Sequence, residues 1–232
     1  MEERTKKLLH SIIQEYIQTA VPVGSSALVE KYHLDVSPAT VRNEMMELEK
    51  AGYIYQPHTS AGRMPTEQGY QFYLDNFLLA KQVSVGQQKD LDKLIKKSTD
   101  ESEQLIKNLA KGLAEMAGQS VVVGFGPQDV YYTGLSNLFA QPEFSESQLV
   151  YNMSLVVDHL DEVMNKIFVT VTDQPEIIIG AKNPFGNICA SILTKYKLGR
   201  REGMIGILGP MRMDYNANLG LVTYARELIN SI

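Results

Sequence analysis

One cysteine, Cys189, among 232 residues leaves no intramolecular disulfide and no cysteine-based zinc site, and it fits a reducing, intracellular compartment. No run approaches the ~18 consecutive apolar residues of a membrane span. The stretch from Met1 to Lys7 is charged and lacks the apolar core of a signal peptide, so the cytoplasm is expected, with no membrane partner. The four histidines, His10, His33, His58 and His159, lack metal-ligand spacing, and neither a metal nor another cofactor is expected. Gly203, Gly206 and Gly209 precede no lysine and make a poor phosphate loop; turns or close backbone packing explain them better. Cys189 lies in an apolar stretch and reads as a small buried hydrophobe, while Asp158, Asp161 and Glu162 read as the solvated face of a helix. No catalytic residue stands out, so an enzyme is not expected. Internal repeats and low-complexity tracts are missing too. Nor is there a positive excess: Lys+Arg 22 against Asp+Glu 27 gives a net charge of -5. Residues 1–80 hold 7 basic against 10 acidic groups and the remainder 15 against 17, so neither part is a polycation of the usual nucleic-acid-binding kind.

What is present is enough for one large or two small domains: 232 residues, 44% hydrophobic and 21% charged, near the globular average. From Lys6 to Ala20, Leu8, Leu9, Ile12, Ile13, Tyr16 and Ile17 recur at helical steps until Pro22. A short second helix is predicted after Gly24, capped by Ser25 or Ser26. A third begins at Ser37-Pro38, a capping serine with proline at the first helical position, and runs to about Ala51, with Gly52 as its stop. Tyr53 to Pro65 reads as a short hairpin with a loose tip, and Thr66 caps a fourth helix with Tyr70, Tyr73, Leu74, Phe77 and Leu78 on one stripe. Residues 81–118 read as a helical connector between a domain at 1–80 and another at 119–232. In the last region the expected strands are Ser120–Phe125, Val130–Thr133, Ile167–Val171, Ile177–Gly180 and Met204–Leu208, with Asn187–Leu198 leaning to strand; helices are expected at Ser145–Asn165 and Asn216–Ile232. The fold class is α+β, a mixed sheet with helices packed on it.

Helix, tight turn, capped helix and hairpin follow one another in the order of a winged helix-turn-helix. At about 100° per residue, Val41, Met45 and Leu48 share a narrow core arc, which leaves Ala39, Asn43, Met46 and Lys50 outside, with Arg42 and Thr40 at the flanks. Asparagine can pair bidentately with adenine and arginine with guanine, and alanine or methionine can touch a thymine methyl. Free N–H groups at the start of the helix, near Ser37, suit a phosphate. Between Ala51 and Thr66 there is no acid, and Arg63 is the only fixed charge beside His58, Thr59 and Ser60. Such a hairpin can approach a DNA backbone. The same helix also fits a purely structural role, because this packing occurs in proteins that bind no nucleic acid.

Pro22-Val23-Gly24-Ser25, Val36 to Asn43, and the long run from Gln56 through Pro57-His58-Thr59-Ser60-Ala61-Gly62-Arg63-Met64-Pro65 to Thr66 resemble the HrcA family, the heat-inducible transcription repressors of bacteria. Gly134-Leu135-Ser136-Asn137-Leu138, Gln141-Pro142-Glu143-Phe144 and Ile205 to Tyr215 are similar to that family's C-terminal signatures. The resemblance implies a winged-helix domain, a GAF-like domain, and dimeric repression of chaperone operons at a double-stranded inverted-repeat operator called CIRCE. It also implies the GroEL chaperonin as a partner that keeps the repressor competent. The DNA-contacting residues would be Ser37, Ala39, Thr40, Arg42, Asn43, Met46, Lys50, His58, Thr59, Ser60 and Arg63. Ser26 stands where the family usually has a basic residue, which would remove one phosphate contact. Family members also carry extra strands and an inserted dimerisation domain before the Gly-Leu-Ser-Asn-Leu motif. Here Ser120 to Val130 runs almost directly into Gly134, so that insert is absent or reduced. An alternative is a regulator controlled by a small ligand in the GAF-like domain, with Gly209 to Tyr215 lining the site and Arg212 facing an anion; equally, Arg212 and Asp214 tie the last helix to the sheet.

Overall fold

A computed structural model describes residues 1–96, 102–126 and 128–232. Residues 97–101 of the expected connector, and Pro127 in the stretch before Gly134, lie outside the described residues. The chain divides into two compact units, Met1–Leu79 and Ala80–Ile232.

In the first unit α1 (Glu3–Thr19), α2 (Ser25–Tyr32) and α3 (Pro38–Lys50) precede an antiparallel pair, β1 (Ile54–Tyr55) and β2 (Met64–Pro65), and then α4 (Glu67–Phe77). The core is what the periodicity demands: Leu8, Leu9, Ile12 and Ile13 of α1 are buried with Leu28, Val41, Met45, Leu48, Ile54, Tyr70 and Tyr73. Ala20 ends α1 in the left-handed region, its N–H donating to Tyr16 O at 2.9 Å, before Pro22 is reached. The cap of α2 is Gly24, not Ser25 or Ser26, and no side chain occupies the capping position.

The second unit is α+β. Among the described residues its sheet has the order β4 (Asp129–Thr133), β3 (Ser120–Gly126), β7 (Arg201–Pro210), β6 (Cys189–Leu198), β5 (Glu176–Ile179), antiparallel throughout. Strand alternation divides its side chains between two faces. Val122, Leu193, Met204 and Leu208 enter a core with Leu138 of α7 (Leu135–Phe139), Met153 of α8 (Ser147–Asp158), and Leu160, Met164 and Ile167 of α9 (Leu160–Thr170). Val121, Val123, Ile192, Ile205 and Ile207 point the other way, the side taken by α6 (Ser102–Ala117) and α10 (Tyr215–Asn230). The stretch read as a connector thus supplies α5 (Val85–Lys96) and α6, which pack on each other and, through α6, on β3.

Three sequence expectations give way here, the first being the mixed sheet, since each strand pair among the described residues is antiparallel. Ile167–Val171, β-branched and strand-like in composition, is the end of α9. Leu160, Met164 and Ile167 face one core at helical spacing while Val169 is 78% exposed, so burial of a 3.6-residue stripe outweighs local propensity. The single helix expected over Ser145–Asn165 is broken at His159 into α8 and α9, and the break allows Met153 and Leu160 to reach the same core. The motif Gly209 to Tyr215 is closed by packing. Arg212 donates to Glu143 at 2.6 Å and to Gln141 Oε1 at 2.8 Å, the Tyr215 hydroxyl donates to Met211 O, and Asp214 caps α10 by accepting from Ala217 N–H at 3.0 Å. Arg212 therefore ties this loop to the Gln141–Glu143 segment and faces no open anion site.

Candidate nucleic-acid interface

Helix α3 starts where the sequence requires. Ser37 Oγ accepts from Thr40 N–H at 3.1 Å, and Pro38 occupies the first position, where its missing N–H costs nothing. Val41, Met45 and Leu48 are buried, which turns Ala39, Arg42, Asn43, Met46 and Lys50 outward, with Thr40 half-buried. The acids of α3 are all paired: Glu44 with Arg4, Glu47 with Lys50 at 2.7 Å, and Glu49 with Arg63 at 2.9 Å. Arg42 and Asn43 have no hydrogen-bond or ion-pair partner among the described residues. Among the described residues Lys50 is held only by an exposed pair, of the kind worth ~1 kcal/mol or less, and can be released to a ligand.

The hairpin is held against α3 by polar contacts. Arg63 Nε donates to Glu49 at 3.0 Å, and Gln56 N–H donates to the other Glu49 oxygen at 3.1 Å. The Gln56 side-chain amide donates to Thr59 O at 3.0 Å and Ala61 O at 2.9 Å, which shapes the tip from inside. His58, Thr59 and Ser60 are exposed there, His58 Nδ1 lying 3.2 Å from Ser60 Oγ. Val23 and Arg63 exchange backbone hydrogen bonds of 2.8 and 2.9 Å, adding the approach to α2 as a third extended segment. Gly62 permits that approach: a Cβ there would stand 2.4 Å from the Val23 carbonyl carbon.

Between the start of α2, Arg42 of α3 and the hairpin lies a cleft of about 500 Å³ with no acid in its lining. The backbone N–H groups of Ser25, Ser26 and Ala27 have no partner among the described residues. Ser25 lines the cleft although it is 7% exposed. The start of α2 therefore offers three free donors in the cleft, whereas the start of α3 keeps the Ala39 N–H. At α3, Pro38 has no N–H and Thr40 N–H is taken by Ser37.

The structure thus gathers Ser37, Ala39, Thr40, Arg42, Asn43, Met46 and Lys50 on one helix and His58, Thr59 and Ser60 on the adjacent hairpin tip, while Arg63 is turned into the Glu49 pair, 14% exposed. Sequence reasoning missed Ser25, Gln56 and Glu49. Ser25 was visible as a polar residue beside a glycine at a helix start. The roles of Gln56 and Glu49 depend on a contact between hairpin and helix that no local pattern encodes.

Residues 70–218 match the family model described as the HrcA protein C-terminal domain. This chain belongs to the HrcA family. Among HrcA relatives, the heat-inducible transcription repressor HrcA of Natranaerobius thermophilus is 48% identical over 126 residues, 54% of this chain and 36% of that protein. The chain thus aligns strongly with only about a third of that relative's length. The HrcA of Carboxydothermus hydrogenoformans is 25% identical over 335 positions, covering 100% of this chain and 98% of its own. Since this chain has 232 residues, roughly a hundred of those positions have no counterpart here. A crystal structure of a hypothetical protein at 2.2 Å resolution superposes with a TM-score of 0.75 at 18% identity, covering 100% of this chain and 98% of the other, and shares the fold. Among the described residues of this HrcA-family chain, no helix is long and apolar enough to cross a membrane.

Proposed function

We propose that this HrcA-family chain is a sequence-specific, DNA-binding transcriptional repressor whose first unit is a winged helix-turn-helix with α3 as the recognition helix. One observation carries the reading: the outward face of α3 offers Arg42 and Asn43 without a partner among the described residues, beside acids that are already neutralised by Arg4, Lys50 and Arg63. Those two side chains are the types that read guanine and adenine edges in a major groove. The acid-free cleft and the hairpin tip border the same face and suit the phosphate backbone. The second unit serves regulation and assembly as a GAF-like domain.

The operator is an inverted repeat of the CIRCE type. A dimer with two-fold symmetry would present its recognition helices about 34–36 Å apart, or at a multiple of that spacing. The names of the relatives support control of a heat-induced gene set, and the family resemblance suggests the GroEL chaperonin as the partner that sustains activity. Fluorescence anisotropy at physiological salt tests the core of this reading. A duplex bearing the CIRCE repeat should bind far more tightly than a scrambled duplex of equal length; equal binding to both would overturn it.

A further inference from the structure

The second unit holds a cavity for which DNA binding has no use. At one end of its sheet, β3, β7 and β6 lie side by side, with Gly203 paired to Tyr196 and Gly124 paired to Met204. Phe125, Gly203 and Tyr196 therefore form one row across three strands on the face covered by α6. Gly203 makes room for the tyrosine: a Cβ there would stand 2.2 Å from Tyr196 Cζ and Oη, so the ring lies over the β7 backbone. Tyr196 is 3% exposed, yet its hydroxyl has no hydrogen-bond partner among the described residues. The ring lines a cavity of about 210 Å³ walled on its apolar side by Phe125 and Ile106.

The polar side of that cavity is negative. Glu103, Asp129 and Glu202 line it against a single cation among the described residues, Arg201. Arg201 is 76% exposed and reaches only to 3.9 Å from Glu103, and Glu202 leans outward to within 3.7 Å of Lys197. Asp129 has no ion pair among the described residues. Lys107 lies over the Phe125 ring, 5.3 Å from its centroid, but does not line the cavity. Burial, with the charges of Glu103 and Asp129, pushes the Tyr196 phenol above its ordinary range, so it stays a neutral hydroxyl facing carboxylates.

The geometry points to a binding site for a small organic cation, an ammonium group on a short apolar body, held between the Tyr196 hydroxyl and the Asp129 and Glu103 carboxylates with its alkyl part against Phe125 and Ile106. The size fits, since 210 Å³ equals about seven liquid waters and is less than a drug-sized pocket needs. An ammonium gives the hydroxyl at the cavity wall a donor and the carboxylates a counter-charge, and its short chain covers apolar wall.

Isothermal titration calorimetry on the full chain tests this with n-pentylammonium chloride as the probe, and with pentanoate and 1-pentanol as charge-reversed and neutral controls. Saturable one-to-one binding of pentylammonium is expected, with none of pentanoate and much weaker binding of pentanol. Tyr196→Phe keeps the ring and should weaken binding about tenfold, the usual effect of losing one hydrogen bond to a charged group. Asp129→Asn, at an exposed position, should also weaken it while the circular dichroism spectrum and Tm stay those of the parent. No saturable binding of pentylammonium, equal binding of pentanoate, or weakening by only one of the two variants would overturn the assignment.

Discussion

Arg42, Asn43 and Arg63 look alike in a list of polar surface residues, but they differ in what already holds them. Arg42 and Asn43 are unpaired among the described residues, so Arg42→Ala or Asn43→Ala should remove a base contact: a loss of roughly 1–3 kcal/mol on operator DNA and little on scrambled DNA, read by anisotropy on both duplexes. Arg63 sits in the Glu49 pair at 2.9 Å. Arg63→Ala should therefore release an uncompensated carboxylate toward the DNA side and weaken binding to operator and scrambled duplexes alike. Glu49→Gln, which leaves no such charge, should not reproduce that loss. A third residue, Cys189, is buried among apolar side chains, and burial pushes its thiol up to about 12. It should resist alkylation by iodoacetamide in the folded protein and react only when denaturant opens the second unit; modification at the rate of a free thiol would contradict that.

At the scale of elements, two features of the first unit have measurable weight. The Ser37 cap fixes where α3 begins, and Ser37→Ala should cost about 1 kcal/mol in urea unfolding with the m-value unchanged. The packing of α1 on α4 buries His10 against Phe77 and Tyr73, with ring centroids 4.6 and 5.7 Å apart, and this burial holds the imidazole below its ordinary value of 6.5. Above pH 6.5 His10 is neutral whether folded or not, and its contribution is fully present. As the pH falls through that value, the unfolded chain takes up a proton that the folded one refuses, so stability is lost until the lower folded value is reached. Thermal unfolding from pH 7.5 down to about pH 5 should show this loss, and His10→Phe should reduce it. The α1 to α4 pattern was legible because each helix has a single buried stripe and a recognisable start. The strand expected over Ile167–Val171 failed because a β-branched run resembles a strand locally, while the core it joins is met through Leu160 and Met164 of the preceding turns.

For the whole molecule, the greater length of the relatives matters less than how the second unit of this chain is closed. The roughly one hundred positions without a counterpart leave a five-stranded sheet, as counted among the described residues, with helices on both faces. The Arg212 contacts to Glu143 and Gln141 join segments some 70 residues apart in sequence. Arg212→Ala should lower stability by about 1.5–3 kcal/mol, because it strands a largely buried Glu143 carboxylate. Assembly is the second test at this scale. Sedimentation with a single CIRCE duplex should give two chains per duplex, and inserting five base pairs between the half-sites should abolish tight binding, because half a helical turn rotates one half-site to the opposite side of the duplex.

The sequence by itself determined the elements of the first unit, the caps of α3 and α4, the outward face of α3 and the family to which the chain belongs, because amphipathic periods, capping hydroxyls and turn residues act over a few neighbours. It also carried the negative charge that argued at first against nucleic acid. Only the tertiary structure decided that the acids of α3 are spent on Arg4, Lys50 and Arg63, that the start of α2 adds free helix donors beside the hairpin, and that Arg212 closes a loop where an open site had been an alternative. It decided, too, that Tyr196 crosses a glycine to face three carboxylates. Each of these depends on which distant side chain ends within about 3 to 4 Å of another, and an interaction of that range is set by packing between elements, which no local pattern in the chain records.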